Sequence, residues 1–217
     1  MMSWKTLIVL GISMLGLNVS VAQSHSDLLV FDTHHEAPQN TWFSRPKVNP
    51  APQKTLRLTG TKDARLEVWF KMEYATQSKA CESQTFIGRT VGAPEIPQVI
   101  YDSVRVPAGQ TKFSISFFLD RYIPGRCDWR PSGVLHSEFE PAVTAGPSVT
   151  SGVIAIRAAG NRNVKLIWKC RRDAPPEAPR PLECQGVEKY PAVNTPVSSD
   201  GGVVQADFTL ATDDDAR

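Results

Sequence analysis

The sequence is poor in the residues that mark a reaction mechanism. It has four histidines in 217 residues, and it lacks a Gly-x-Ser-x-Gly elbow, a glycine-rich phosphate loop and a His-Glu-x-x-His pair. Those absences remove the local signatures of serine hydrolases, nucleotide-binding enzymes and zinc peptidases. The four cysteines, Cys81, Cys127, Cys170 and Cys184, are not arranged in the closely spaced pairs from which thiolate zinc sites are built. Charge of one sign is also lacking. The 24 basic and 22 acidic residues leave a formal net charge of +2, which gives no electrostatic reason to expect nucleic acid as a partner. Beyond residue 22 no apolar run approaches the length of a bilayer span, about 20 residues, and no segment carries the three-and-four spacing of an amphipathic helix.

What is present begins with "MMSWKTLIVLGISMLGLNVSVA", residues 1–22. A lysine, an apolar run from Leu7 to Leu17 and small residues at Ser20 and Ala22 form the layout of a secretory signal peptide, cleaved after Ala22. The reading is of an exported, periplasmic chain with no membrane insertion once the signal is removed. An even number of cysteines in an exported chain points to two disulfides. Three pairings exist. The sequential one, Cys81 with Cys127 and Cys170 with Cys184, is preferred because it closes loops around separate strand pairs, although spacing alone does not fix it.

Residues 23–53 read as an extended, proline-punctuated segment with a first edge strand near Leu28 to Phe31. From Lys54 the pattern alternates. In "ARLEVWFKMEY", Leu66, Val68, Phe70, Met72 and Tyr74 fall on one face and Glu67, Trp69, Lys71 and Glu73 on the other, the period of a half-buried strand. Similar runs are "QVIYDSVRV", "TKFSISFF", "GVLHSEFE", "GVIAIR", "NVKLIWKC" and "GVVQADFTL". Pro107 to Gln110 reads as a turn, and "AAGNRN" as a hairpin connection in which Gly160 and Asn161 are able to take positive φ. Seven or eight strands without a helix predict an all-β fold, an antiparallel β-sandwich with long disulfide-tied loops, for which an immunoglobulin-like arrangement is one form. The sandwich domain is placed at 54–217. Within it, residues 171–202 are proline-rich and read as a protruding loop stapled by Cys170 and Cys184.

Two polar groupings invite a chemical reading. Asp32, His34 and Glu36 share a strand face and suit a metal, against the simpler reading of a solvated polar turn. His136 and Glu138 also share a face, where an acid–base pair is possible, but a hydrolase needs in addition a nucleophile or a metal-bound water. No catalytic residue, metal or cofactor is assigned, and the chain is read as a non-enzyme.

The stretch "LDRYIPGRCDWRPSGV", residues 119–134, concentrates the remaining signals. Pro124 and Gly125 suit the corner of a type II turn, and a disulfide at Cys127 would pin it. Arg121, Tyr122, Arg126, Trp129 and Arg130 are the candidate partner-binding residues, because guanidinium groups make directional bonds to carboxylates and aromatics anchor interfaces. The alternative is that Trp129 only covers the cystine.

The run Tyr122 to Trp129 after an alternating strand, in a small exported β protein, resembles stretches of bacterial periplasmic immunity proteins that neutralise secreted (type VI-like) antibacterial toxins. That resemblance implies a protein partner, a secreted toxin active on the cell envelope such as a lipase or cell-wall hydrolase, blocked without catalysis. It carries over no individual functional residues. An envelope assembly or adhesion accessory protein, working by strand addition, is the second expectation, and a metal-dependent hydrolase the third.

Overall fold

The structure is a computed structural model that describes residues 32–34, 45–82, 96–141, 152–172, 182–187 and 196–211. The expected signal peptide, Glu36 of the Asp32/His34/Glu36 grouping, and the greater part of the acidic C-terminal tail lie outside those residues. Eleven strands are described: β1 (Asp32–His34), β2 (Thr55–Lys62), β3 (Glu67–Thr76), β4 (Val99–Val106), β5 (Lys112–Phe118), β6 (Trp129–Phe139), β7 (Gly152–Arg157), β8 (Asn163–Arg172), β9 (Leu182–Gly186), β10 (Val197–Ser198) and β11 (Gly202–Leu210). They form a six-stranded sheet in the order β1-β4-β3-β6-β7-β10 and a five-stranded sheet in the order β5-β2-β11-β8-β9. Lys79–Cys81 adds one 3-10 turn. Among the described residues no helix is long and apolar enough to cross a membrane.

Alternation explains why these segments pair and which face turns inward. On β3, Leu66 at its threshold and Val68, Phe70 and Met72 within it are fully buried, with Tyr74 at 1%. β5 contributes Phe113, Ile115 and Phe117, β8 contributes Val164, Leu166 and Trp168, and β11 contributes Val204, Ala206 and Phe208. These faces meet in one cluster. Phe70 of the first sheet lies 5.3 Å from Phe113 and 5.9 Å from Phe208 of the second, ring centre to ring centre, so the two sheets share a sandwich core. Each such fully buried large side chain stabilises the fold by about 1.5–3 kcal/mol.

The sheets are mixed, which corrects the expectation of a purely antiparallel sandwich. β11 lies between β2 and β8 and runs parallel to both, and β10 runs parallel to β7. Parallel neighbours need a crossover connection. The chain supplies it between β8 and β11, laying down β9 at the edge of the five-stranded sheet and β10 at the edge of the six-stranded sheet. The segment expected to be a protruding loop therefore contains two strands, and β9 pairs residue by residue with the end of β8 from Trp168↔Gly186 to Arg172↔Leu182.

Two expected turns also change meaning. Pro107 to Gln110 does turn, with Gly109 at φ 87°, but β4 and β5 belong to different sheets. The "AAGNRN" link likewise passes from the first sheet to the second and is not a hairpin. Gly160 does not adopt positive φ. Glycine is needed there because a Cβ would lie 2.2 Å from the carbonyl carbon and oxygen of Val197.

Candidate functional site

The loop after β5 is fastened to the body of the sandwich at nearly every residue. The Asp120 carboxylate accepts hydrogen bonds from the backbone N–H of Gln53 (2.8 Å) and Lys54 (3.0 Å), and its carbonyl accepts one from the Asn49 side-chain amide at 2.9 Å. Asn49 N–H donates to the Arg121 carbonyl at 2.7 Å, and Ile123 N–H to the Lys47 carbonyl at 2.9 Å. Residues 47–54 thus run as a strap along the loop, with a bridge between Val48 and Tyr122.

Beneath the strap is a polar anchor. On β4 the inward row reads Ile100, Asp102, Val104 and Val106, all buried. Arg121 Nε reaches Asp102 Oδ2 at 2.9 Å, with the Asp102 side chain fully buried and Arg121 retaining 21% exposure. Tyr122 packs edge-on against Tyr74, ring centres 4.9 Å apart, while the Tyr74 hydroxyl donates to the Phe118 carbonyl at 2.7 Å. Burial raises the Tyr74 hydroxyl well above the ordinary tyrosine range, reinforced by the Asp102 charge, and burial raises Tyr122 as well.

The corner itself follows from Pro124 and Gly125, with Gly125 at φ 57° and Asp128 at φ 51°. Trp129 N–H closes it onto the Pro124 carbonyl at 3.0 Å. The Cys81–Cys127 disulfide then ties the corner to the 3-10 turn after β3, Cα to Cα 5.4 Å, and Gln77 and Ser78 donate to the Cys127 carbonyl at 3.2 Å each. A register shift between Glu73 and Tyr74 places Pro131 at an irregular point of β6, where a residue with no N–H is tolerated.

The five candidate partner residues separate in space. Tyr122 (8% exposed) and Trp129 (3%) are part of the core. Arg121 turns inward to Asp102. Arg126 and Arg130 are exposed, and Arg130 pairs with Asp128, Nε to Oδ1 2.9 Å. Between them stands a ridge of exposed Ile123 (43%) and Pro124. One groove beside it, of about 380 Å³, is bordered by Arg45, Lys47 and Arg126. The other, of about 450 Å³, is bordered by Lys54, Arg130 and Arg157 together with Asp120. Sequence reasoning missed Arg45, Lys47 and Arg157, which topology brings here from distant segments. It also passed over Asp102, whose signal is a carboxylate inside an apolar alternating row.

The second polar grouping lies in the core. His136 Nδ1 is 2.5 Å from Glu138 Oε1, and both side chains are fully buried. The imidazole packs against Trp168 at 4.3 Å and Phe208 at 5.5 Å between ring centres. The pair therefore has no face open to solvent. The Cys170–Cys184 disulfide joins β8 to β9 nearby, with Cα atoms 3.9 Å apart. Of the third grouping, Asp32 to His34 pair by backbone with Ser103 to Tyr101 of β4.

The chain matches no family model, and neither a curated protein nor a solved structure matches it.

Proposed function

We propose that this chain is a non-catalytic periplasmic binding protein, and most concretely an immunity protein that binds and blocks a cell-envelope-targeting antibacterial toxin such as a lipase or cell-wall hydrolase. The observation that carries the reading is the Ile123–Pro124 ridge, set between two cation-bordered grooves and held by a disulfide, a carboxylate cap on two backbone amides and a buried ion pair. A surface already fixed in its bound shape loses little conformational entropy on association. An apolar knob ringed by guanidinium and ammonium groups suits a partner with an apolar recess and an acidic rim, since the rim charges steer encounter and register while the knob supplies burial. In this reading the sandwich serves as an immunoglobulin-like scaffold does, presenting loops from one end.

The test is neutralisation. Cells producing a periplasm-directed toxin encoded beside this chain should survive when the exported protein is present, and should be sensitised when Arg126 and Arg130 are replaced by glutamate. Failure of the folded, exported wild-type protein to protect would sink the immunity assignment.

A specific observation favours the envelope-accessory reading as the second choice. β5 is seven residues long and, among the described residues, pairs only with β2, which leaves an edge able to receive a strand. Capture of structural subunits from envelope extracts, lost on placing proline at Ser114 or Ser116, would favour it over a toxin partner.

A further inference from the structure

The core around the Cys170–Cys184 cystine holds polar groups that packing alone does not call for. Glu138 Oε2, His136 Nε2 and Trp168 Nε1 are buried without a hydrogen-bond partner among the described residues. A buried polar atom left unpaired is costly, and such atoms ask for an explanation. A carboxylate oxygen of Glu138 and the sulfurs of Cys170 and Cys184 lie within 4.8 Å of one another. With the disulfide closed, the sulfurs are bonded to each other and cannot both ligate a cation. Zinc–sulfur bonds of about 2.3 Å in a tetrahedron hold two sulfurs roughly 3.8 Å apart, a separation that opening the S–S bond permits.

We infer that reduction of Cys170–Cys184 converts this part of the core into a zinc(II) site, with Cys170, Cys184 and Glu138 as ligands and His136 as the residue that orients Glu138. The imidazole engages Oε1 and leaves Oε2 for the metal, the arrangement in which an outer hydrogen bond fixes a ligating carboxylate. Two thiolates and one carboxylate leave a fourth position for water, and the paired thiolates favour zinc over magnesium or calcium. The step balances with a dithiol as reductant. The dithiol is oxidised to its own disulfide, two electrons and two protons pass to Cys170 and Cys184, and zinc binding then releases the two thiol protons to solvent. Cys184 lies on β9, which ends the sheet order β5-β2-β11-β8-β9, and retains 9% exposure while Cys170 and Glu138 are more deeply buried, so the reductant and the ion enter by local opening of β9. The site is independent of the toxin-binding reading.

The full-length exported chain is reduced with dithiothreitol, desalted without oxygen, and titrated with zinc(II) against a chromogenic chelator. Cobalt(II) serves as the optical probe. The reduced protein should take up one zinc per chain and show thiolate-to-cobalt charge-transfer absorption. The oxidised protein and C170S/C184S, which keeps Cys81 and Cys127, should do neither, and E138Q should bind at least tenfold more weakly. Uptake by the reduced, folded chain no tighter than by the oxidised chain overturns the inference, as does equal binding by C170S/C184S. Unchanged affinity in E138Q removes the carboxylate. Should C170S/C184S fail to fold, thiol alkylation of the reduced wild type replaces it, and undiminished binding then has the same meaning. Should the reduced wild type lose its near-ultraviolet dichroism, zinc must restore it, and failure to do so overturns the site.

Discussion

The guanidinium of Arg121 and the carboxylate of Asp102 form an ion pair across the floor of the 119–131 loop, Nε to Oδ2 2.9 Å, with the Asp102 side chain fully buried. Removing one partner of a buried pair leaves an uncompensated charge, whereas replacing both with apolar groups of similar volume is often neutral. Arg121→Ala should therefore lower unfolding free energy by about 3 kcal/mol, and Arg121→Met combined with Asp102→Leu should recover most of that loss. Urea unfolding of the two variants decides the point. Equal losses in both would mean that packing, and not charge compensation, sets the value of this contact.

The tyrosines above that pair make the loop sensitive to alkali. The hydroxyls of Tyr74 and Tyr122 are raised above their ordinary range, first by burial. A tyrosine whose folded-state value exceeds its unfolded value contributes stability that is complete below the unfolded value, about 10, and is lost as pH rises toward the folded value. Stability measured by urea unfolding should be level with respect to these groups below about pH 9 and should fall above about pH 10. Tyr74→Phe should flatten part of that fall. An alkaline slope identical in wild type and Tyr74→Phe would show that Tyr74 does not titrate on unfolding.

Stability and recognition should separate between neighbouring residues of the loop. Trp129 is only 3% exposed, so truncation to alanine removes a core side chain and should cost about 3–5 kcal/mol. Arg126 is exposed, and Arg130, with 62% of its side chain exposed, holds only a solvent-facing pair to Asp128. Surface substitutions of that kind change stability by about 0.5 kcal/mol or less. Thermal unfolding of Trp129→Ala, Arg126→Ala and Arg130→Ala should show one large shift and two small ones. In the toxin-binding reading proposed above, calorimetric titration with the toxin should show Arg126→Ala and Arg130→Ala each weakening binding severalfold.

Alternation made the faces of β3, β5, β8 and β11 legible in the sequence, because each keeps an unbroken period of two over its inward residues. Sheet membership was not legible. Whether β4 and β5 pair or part across the sandwich depends on which other strand each meets, and "PAGQ" reads the same in either case. Nor does the local sequence of β11 reveal parallel pairing, since its partners Leu58 and Val164 lie far away along the chain. β9 was hidden by its proline-rich approach. Trp129 was ambiguous for a different reason. Its neighbours are Asp128 and Arg130, so local polarity suggested a surface, while its burial comes from a strand start facing the core. The loop was thus recognised as a clamped corner, but the exposed part of it is the Ile123–Pro124 ridge with Arg126 and Arg130.

The crossing from β7 to β8 offers a test of the corrected role of Gly160. Had this glycine served a positive-φ turn, Gly160→Asn would be tolerated, since asparagine adopts that conformation more readily than other residues. Close approach to β10 gives the opposite expectation. Any Cβ at this position meets the Val197 carbonyl at 2.2 Å and the Ser198 nitrogen at 2.5 Å, and the obstructing atoms are backbone, so no rotamer change relieves the contact. Gly160→Ala and Gly160→Asn should both destabilise the protein at or beyond the upper end of the about 1–3 kcal/mol typical of overpacking. Gly160 N–H also donates to the Arg157 carbonyl at 3.1 Å, and Asn161 N–H to the Pro196 carbonyl at 2.8 Å, so displacement of β10 should surface first as faster amide exchange at Asn161 and Ser198. Full stability in Gly160→Asn together with unchanged exchange would restore the turn reading.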